Sequence, residues 1–270
     1  MRRFHPHLSF FRMQLIKGLQ YRTAAWAGIF TQFFWGFMQI QLYRALYAAH
    51  QSSFPMALSG LVSYIWLRQA FLALLNTWSY EYELFDMILS GNVALELCRP
   101  VGLYGMWFAR NAALRISRAA LRCGPILIIS ALLPAPWGLN PPASMGAFAA
   151  FLLSLALTLG VTCAMTLIVY FSCFYTLSSQ GLRTVLDPVT EFLNGAIVPL
   201  PFMPVWLSSV LRYTPFGAMV NAPLRIYSGD IRGMELTETL LLQVFWLAAL
   251  MGFGWLLQHR GMKRLCLQGG

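Results

Sequence analysis

The feature that most constrains this chain is a series of apolar runs, recurring along its whole length, that are long enough to cross a hydrocarbon layer. A helical crossing needs about 20 residues. With 58% hydrophobic and 10% charged residues, the chain leaves no stretch for a separate soluble domain. We therefore predict an all-α membrane protein in which residues 1–270 form one transmembrane domain.

The apolar runs predict six transmembrane helices, separated by polar or proline-rich turns at His50–Ser53 and Pro134–Pro142. The third crossing is interrupted in its first half by four arginines, so its apolar part is confined to Cys123–Leu133. The four arginines are Arg110, Arg115, Arg118 and Arg122. The other five crossings are Ala24–Tyr47, Ala57–Trp78, Met145–Phe174, Gln180–Val198 and Leu240–Leu257.

Basic residues are concentrated before the first crossing and after the last, as the positive-inside rule requires of cytoplasmic segments. Both termini are therefore predicted to be cytoplasmic, although Arg212, Arg225 and Arg232 fall on the outer side. The net charge of +10 does not indicate a nucleic-acid partner, because no soluble basic face remains. The terminal basic residues are Arg2, Arg3, Arg12, Lys17, Arg22, Arg260, Lys263 and Arg264.

Two segments outside the regular crossings have their own patterns. Residues 1–22 carry Phe11, Leu15 and Leu19 near helical spacing with basic residues between them, which predicts an elbow helix lying in the membrane interface. Residues 201–230 are apolar but broken by three prolines, which favours two short helices over one crossing. We expect Thr214–Pro215 to start a helix and Ser228–Gly229 to stop one, in a re-entrant hairpin on the extracellular side.

The segment Ser79–Pro100 is polar and acidic in a chain with few negative charges. Its helical pattern places Leu84, Met87, Ile88 and Gly91 on one face while the acidic residues point elsewhere, and Ser-Gly-Asn at 90–92 predicts a turn. We expect a knob-like helix that docks in the groove of a soluble partner. The alternative, a helix resting on lipid headgroups, is weaker because anionic lipid repels its charges. The acidic residues are Glu81, Glu83 and Asp86.

A polar stripe runs along one face of the fifth crossing, where charged side chains should face protein or a watered path and not lipid. It consists of Arg183, Asp187, Glu191 and Asn194. The second crossing carries matching polar residues, Arg68, Gln69 and Asn76.

We hypothesise that Arg68 approaches Glu191 or Asp187 across a helix interface that opens during a work cycle. Two interpretations in which these residues have only structural roles remain open. Asp187–Pro188 could start a helix while Arg183 pairs with Asp187 near the cytoplasmic boundary. Arg68 could also be held by backbone carbonyls in a static core.

Motifs for bond chemistry are missing. Neither Lys17 nor Lys263, the chain's two lysines, lies in a GxxxxGK[ST] phosphate loop, and the sequence contains no HExxH or GxSxG. The five cysteines are scattered without CxxC spacing and are predicted to be small core residues. We therefore predict that this chain has no catalytic, cofactor-binding or metal-binding residues of its own.

Two stretches carry a resemblance to a known family: ILSGNVALELCRP at Ile88–Pro100 and the proline-broken segment Phe192–Asp230. With the overall layout, they resemble the permeases of ABC type-2 exporters, especially the compact six-span group. The resemblance implies that Glu81–Gly91 is a cytoplasmic coupling helix seated in a groove of a separate ATPase. It also implies that the second and fifth crossings face a second permease and that Pro201–Asp230 forms the outer hairpin. The arginine-rich third crossing departs from this pattern.

The resemblance also implies a set of partners. These are two copies of an ABC ATPase subunit that holds ATP and Mg²⁺, and a second permease, identical or homologous, that completes a dimer in the bacterial inner membrane. Two other classes stay open on sequence alone. One is a membrane-embedded enzyme that uses the carboxylates of the fifth crossing as acid and base, and the other is a non-transporting scaffold that anchors a cytoplasmic protein.

Overall fold

The computed structural model describes residues 5–20, 22–49, 54–98, 101–176 and 178–264, and over these residues the fold is all-α without strands. This confirms the predicted fold class at the level of secondary structure. Arg2, Arg3, the His50–Ser53 turn, Arg99–Pro100 and Cys266 lie outside the described residues.

Twelve α-helices are described, together with two short 3-10 helices at Leu200–Phe202 and Met262–Arg264. The helices are α1 His5–Leu19, α2 Arg22–Ala49, α3 Leu58–Ala70, α4 Leu72–Leu75, α5 Tyr82–Leu89, α6 Val93–Leu97, α7 Leu103–Leu132, α8 Met145–Thr176, α9 Ser179–Leu193, α10 Val205–Arg212, α11 Asn221–Tyr227 and α12 Gly233–Gly261.

The long helices form a bundle with two distinct ends. At one end, α5 packs on the last turns of α8 through Phe85 and Tyr170, and the start of α7 packs there through Trp107. We call this the insert end. At the other end, Asn140 donates to Ser59 O and accepts from the Tyr227 hydroxyl, which joins the 133–144 loop to α3 and α11. We call this the loop end.

Helices α8 and α12 pack side by side and run in the same direction. Gln243 of α12 donates to Thr158 of α8, and further along both helices Gly261 lies against Phe174. Both helices are long and apolar enough to cross a bilayer, and they are the two among the described residues that meet that criterion. The chain between them, residues 177–232, must therefore return from the insert end to the loop end.

The third and fifth predicted crossings differ from the structure in their boundaries. Helix α7 is continuous from Leu103 to Leu132, so the predicted interruption before Cys123 is wrong. Two of its arginines, Arg110 and Arg115, are buried and bound by acceptors of neighbouring elements. Helix α9 ends at Leu193, before the predicted Val198. The cause is Gly195, whose φ of +86° suits glycine and turns the chain before the prolines are reached.

Residues 201–230 form two short helices, α10 and α11, as predicted. The predicted stop at Ser228–Gly229 is confirmed, because α11 ends at Tyr227 and Gly229 has a φ of +70°. The predicted helix start at Thr214–Pro215 is wrong, because the chain continues in turns until Asn221. Helix α11 is buried against α8 and α3, whereas α10 exposes Val205 and Trp206.

Helix α1 confirms that a separate helix precedes α2, and it packs along the first half of α7, where Gly18 meets Ser117. Its position at a membrane surface stays a prediction. Among the cysteines, Cys163 and Cys173 are buried as predicted, but Cys98 is exposed at the end of the insert.

Candidate functional site

The acidic insert folds into two short helices, α5 and α6, joined by a turn at Ser90–Asn92 as predicted. Gly91 has a φ of +75°, a conformation that favours glycine. The apolar face of α5 lies in the protein's own core, because Leu84 and Ile88 are buried beside Tyr170 of α8. This corrects the expectation that Leu84 and Ile88 project into a partner.

The opposite face of the insert is open to solvent. Tyr82 and Leu89 lie seven residues, or about two turns, apart on α5, and they are 65% and 46% exposed. Leu95 of α6 is 70% exposed. Glu83 and Asp86 lie exposed on the same helix, whereas Met87 and Gly91 are half-buried. Apolar anchors bordered by charge are typical of protein interfaces. We call these five exposed residues, Tyr82, Glu83, Asp86, Leu89 and Leu95, the insert surface.

Arg110 of α7 holds the start of the insert. Its Nε and Nη2 atoms contact Glu81 Oε2 at 2.9 Å, and Nη2 contacts Glu83 Oε2 at 2.5 Å. The side chains of Arg110 and Glu81 are 8% and 15% exposed, while that of Glu83 is 65% exposed. Arg110 therefore connects a buried anchor and an exposed carboxylate of the insert to α7.

Arg115, one to two turns further along α7, is fully buried and bound entirely by neutral acceptors. Its guanidinium donates to Asn111 Oδ1 at 2.7 Å, to the Asn76 carbonyl at 2.6 Å and to Thr166 Oγ1 at 3.0 Å. Asn76 follows the last residue of α4, where carbonyl groups lack partners within the helix and carry the negative end of its dipole. Arg115 thereby joins the end of α4 to α7 and α8.

A third set of contacts ties the insert to α8 and α9. The Tyr80 hydroxyl donates to Asp187 Oδ1 at 2.6 Å, and the Glu81 amide donates to the Tyr170 hydroxyl at 2.6 Å. The Arg183 guanidinium lies 4.9 Å from the ring centre of Tyr82 and 4.8 Å from that of Phe85, within cation–π range. The insert therefore contacts three helices directly, α7, α8 and α9. Arg115 binds Asn76, three residues before the insert, and so holds the end of α4 to α7 and α8.

These contacts shift the pKa of two insert side chains. The hydrogen bond from Arg110, reinforced by its charge, holds the pKa of Glu83 below its ordinary value, so Glu83 stays ionised at neutral pH. Burial, followed by the hydrogen bond to Asp187, raises the pKa of Tyr80. Tyr80 therefore stays a neutral donor.

Next to the insert network, an open groove of about 660 Å³ lies between α2, the α3–α4 segment and the turn after α9. Its wall on α2 is apolar, with Trp35 58% and Leu42 60% exposed. Arg68 and Gln69 form its polar floor.

Arg68 at the floor of this groove meets Glu191 of α9, with Nη2 and Oε2 3.8 Å apart. The contact hypothesised from the sequence is thus present, while its opening during a work cycle stays a prediction. The ion pair is incompletely satisfied, because Arg68 Nε and Glu191 Oε1 are buried without a hydrogen-bond partner.

The remaining predicted polar residues lie in different surroundings. Asn76 belongs to the Arg115 cluster, and Gln69 lines the groove. Asn194 is fully buried and accepts from the Ala196 amide, which closes the turn after α9. Pro188 lies inside α9, so the alternative in which Asp187–Pro188 starts a helix is wrong.

The sequence analysis missed the arginines of α7 and the exposed anchors Tyr82, Leu89 and Leu95 as site residues. One available signal was the spacing of Arg110 and Arg115 within an apolar helix, since charges in such a helix normally have buried partners. The second was the repeat of Tyr82, Asp86 and Leu89 along one face of α5.

Comparison with protein-family models finds none that matches this chain, and a search of curated proteins finds no matching relative. The functional assignment therefore depends on the geometry of the insert and the groove.

Proposed function

We propose that this chain is the membrane permease subunit of an ATP-driven ABC exporter, and that a separate ATPase docks on the insert surface. The observation that supports this most is the position of that surface. It is exposed, yet Arg110 of α7, Tyr170 of α8 and Asp187 of α9 bind the start of the insert, and Arg115 holds the adjoining end of α4 to the same bundle. A push on the insert would therefore reach the helices that border the groove.

A lipid environment fits the exposed surface of the bundle. Helix α12 is long and apolar, yet just 17% of its most apolar stretch is buried. Helix α2 exposes Trp26, Phe30, Phe34 and Leu46, four apolar residues that do not line the groove. Apolar areas of this extent are rare on soluble monomers.

Six crossings are the arrangement that agrees best with the helix directions. Because α8 and α12 are parallel, residues 177–232 make one net crossing, which we assign to α9 with the turns that follow it. Helix α2 and the α3–α4 segment are antiparallel, as the contacts of Phe33 with Trp66 and of Tyr47 with Met56 indicate. Helix α7 completes the set.

The insert end is proposed to face the cytoplasm. Exposed basic residues of that end, including Lys17, Arg260 and Lys263, agree with the positive-inside rule. At the loop end, Arg212 pairs with Glu238 at 2.6 Å and Arg225 pairs with Asp230, so these outer arginines have structural roles.

In this mechanism two permeases enclose the path and two ATPase subunits close on binding ATP. Closure displaces the insert surface, and Arg110 and Arg115 pass that displacement to α7 and to the end of α4. Tyr80 passes it to α9 through Asp187. The second permease occupies the groove, where the Arg68–Glu191 pair opens as the helices move.

Co-purification tests this function directly. The tagged chain is purified together with any ATP-binding protein that it retains, and ATP hydrolysis is measured for that protein alone and for the complex. We expect a stable complex with altered hydrolysis that is lost in the double variant Tyr82→Ala, Leu89→Ala. A matched control is Val205→Ala, Trp206→Ala, which removes two exposed apolar side chains at the loop end.

The two alternative classes predict different results in the same experiment. An enzyme that uses Asp187 and Glu191 would turn over substrate without any ATPase, whereas here these carboxylates contact Tyr80 and Arg68, respectively. A scaffold would bind the ATPase and leave its hydrolysis rate unchanged. Either result would overturn the proposal.

A further inference from the structure

A cavity of about 460 Å³ lies between α1, the start of α2, the end of α4 and α7, on the side of the bundle next to the insert. It is separate from the insert surface. Three cationic side chains line it: Lys17 from α1, and Arg118 and Arg122 from α7. The lining contains one carboxylate, Glu81, whose Oε2 is already held by Arg110. The cavity therefore has an excess of positive charge.

The two arginines in the cavity are not satisfied by the protein itself. Arg118 donates to Ser79 Oγ, and no ion pair is found for Arg118 or Arg122 among the described residues. Arg122 Nε is buried without any hydrogen-bond partner. The two guanidinium groups are four residues apart on one helix, where like charges destabilise each other. An anion bound between them would remove that repulsion and supply acceptors to both.

The position of the cavity indicates the source of that anion. Trp78 lines the cavity and is 49% exposed, and Trp26, next to the lining residue Ala25, is 67% exposed. Exposed tryptophans are enriched at the level of lipid headgroups. In the membrane orientation proposed above, the cavity opens at the headgroup level of the cytoplasmic leaflet, where phosphate groups are abundant.

We propose that this cavity binds the phosphate group of a phospholipid headgroup, which bridges α1 and α7 beside the insert. Lys17, Arg118 and Arg122 are the phosphate ligands. Because Ser79 and Glu81 belong to both the cavity wall and the insert, bound lipid also fixes the segment that contacts the ATPase. This inference depends on the proposed orientation but not on the identity of the ATPase or the cargo.

The test uses the full-length chain purified in detergent and titrated with phosphatidylglycerol, with adducts counted by native mass spectrometry. We expect Arg122→Gln to weaken lipid binding about fivefold, from the contribution of one basic residue near an anionic surface. Lys17→Gln, a substitution of an exposed residue, should give a similar loss. Arg260→Gln is the matched control, because it removes an exposed charge at the same end without lining the cavity.

Each outcome decides the proposal. Weaker adducts in Arg122→Gln and Lys17→Gln, with unchanged adducts in Arg260→Gln, support a lipid phosphate site. Equal binding by all four proteins overturns it. If inorganic phosphate binds the wild-type chain, and the variants form as many lipid adducts as the wild type, the lipid source is overturned. The cavity is then assigned to a free phosphate.

Discussion

Single residues hold the insert and the adjoining end of α4 to the bundle, and Arg115, which binds the end of α4, is the most constrained of them. A buried charge is costly unless its hydrogen bonds are complete. Arg115 meets this requirement through neutral groups of α4, α7 and α8, which hold the three helices in one arrangement. This site requires arginine because the planar guanidinium group presents several N–H donors in fixed directions.

Replacing Arg115 by lysine should destabilise the protein although the charge is kept. A lysine ammonium cannot reach Asn76, Asn111 and Thr166 together, and a buried acceptor left without a donor costs about 1–3 kcal/mol. We expect a melting temperature several degrees lower and a loss of ATPase stimulation in the complex, measured by thermal unfolding in detergent and by phosphate release. Arg118 donates one hydrogen bond, to Ser79, so Arg118→Lys should lower the melting temperature and the ATPase stimulation less than Arg115→Lys does. Equal effects of the two variants would contradict the role of Arg115.

The ion pair between Glu83 and Arg110 should depend on pH in a defined direction. Because the folded-state pKa of Glu83 is below its ordinary value of about 4.3, its contribution is complete above that value and is lost as the pH falls through the lower, folded-state pKa. Wild type should therefore be more stable than Glu83→Gln at pH 6, by less than about 1 kcal/mol for so exposed a pair.

This difference should begin to shrink as the pH falls below about 4.3 and disappear once the pH is below the lower, folded-state pKa of Glu83. The measurement is the melting temperature of both proteins across the pH series. Asp86→Asn serves as control, since Asp86 is an exposed carboxylate of the same helix for which no ion pair is found among the described residues. A difference that grows at low pH would contradict the assigned ion pair.

Arg68 and Glu191 should behave as one energetic unit. Neutralising either residue leaves the other as an uncompensated buried charge, so Arg68→Gln and Glu191→Gln should each impair dimer assembly and transport. The double variant should be less impaired than the sum of the two, with a coupling energy of about 0.5–3 kcal/mol. Additive effects in the double-mutant cycle would rule out the pairing.

Whole elements differ in how far their sequence patterns determine them. Helix α5 has an apolar face and an acidic face that periodicity predicts, but periodicity does not tell whether the apolar face packs on the same chain or on a partner. Packing against Tyr170, distant in sequence, decides this. For α7, each arginine lowers the mean hydropathy and so argues against a buried helix. In the structure, Asn76 and Thr166 accept hydrogen bonds from Arg115, and neither residue is near Arg115 in the sequence.

Features that depend on local chemistry were predictable. The turns at Gly91 and Gly229 follow from glycine's access to positive φ. The Arg68–Glu191 contact follows from the need of charges in apolar segments to find opposite charges. The end of α9 was not predictable from its prolines, because Gly195 turns the chain first.

The groove beside α2 gives a prediction at the scale of elements. Leu42→Arg places a charge on the groove wall, and Leu241→Arg places one on the exposed face of α12. The two leucines are 60% and 65% exposed and lie at comparable distances from the loop end of their helices, so their insertion costs should match. We expect Leu42→Arg alone to convert dimers to monomers in native mass spectra. Monomers from both variants, or from neither, would contradict the groove as the permease interface.

The molecule as a whole has the exposed insert surface at one end and a groove along its side, joined by buried polar contacts. Within the described residues, these contacts concentrate at the insert end, while the loop end is closed by Asn140, α11 and paired charges. Such a division suits a protein that receives force at one end and opens at its side. The account requires that the insert end face the compartment that holds ATP.

The most direct test uses Cys98, the exposed native cysteine at the end of the insert. In a Cys266→Ser background, a membrane-impermeant thiol reagent is applied to sealed inverted vesicles and to sealed right-side-out vesicles. A Ser209→Cys variant, exposed on α10 at the loop end, marks the opposite side. The account predicts that Cys98 reacts in inverted vesicles and Ser209→Cys in right-side-out vesicles. Labelling of Cys98 in right-side-out vesicles alone would contradict cytoplasmic docking and the coupling mechanism built on it.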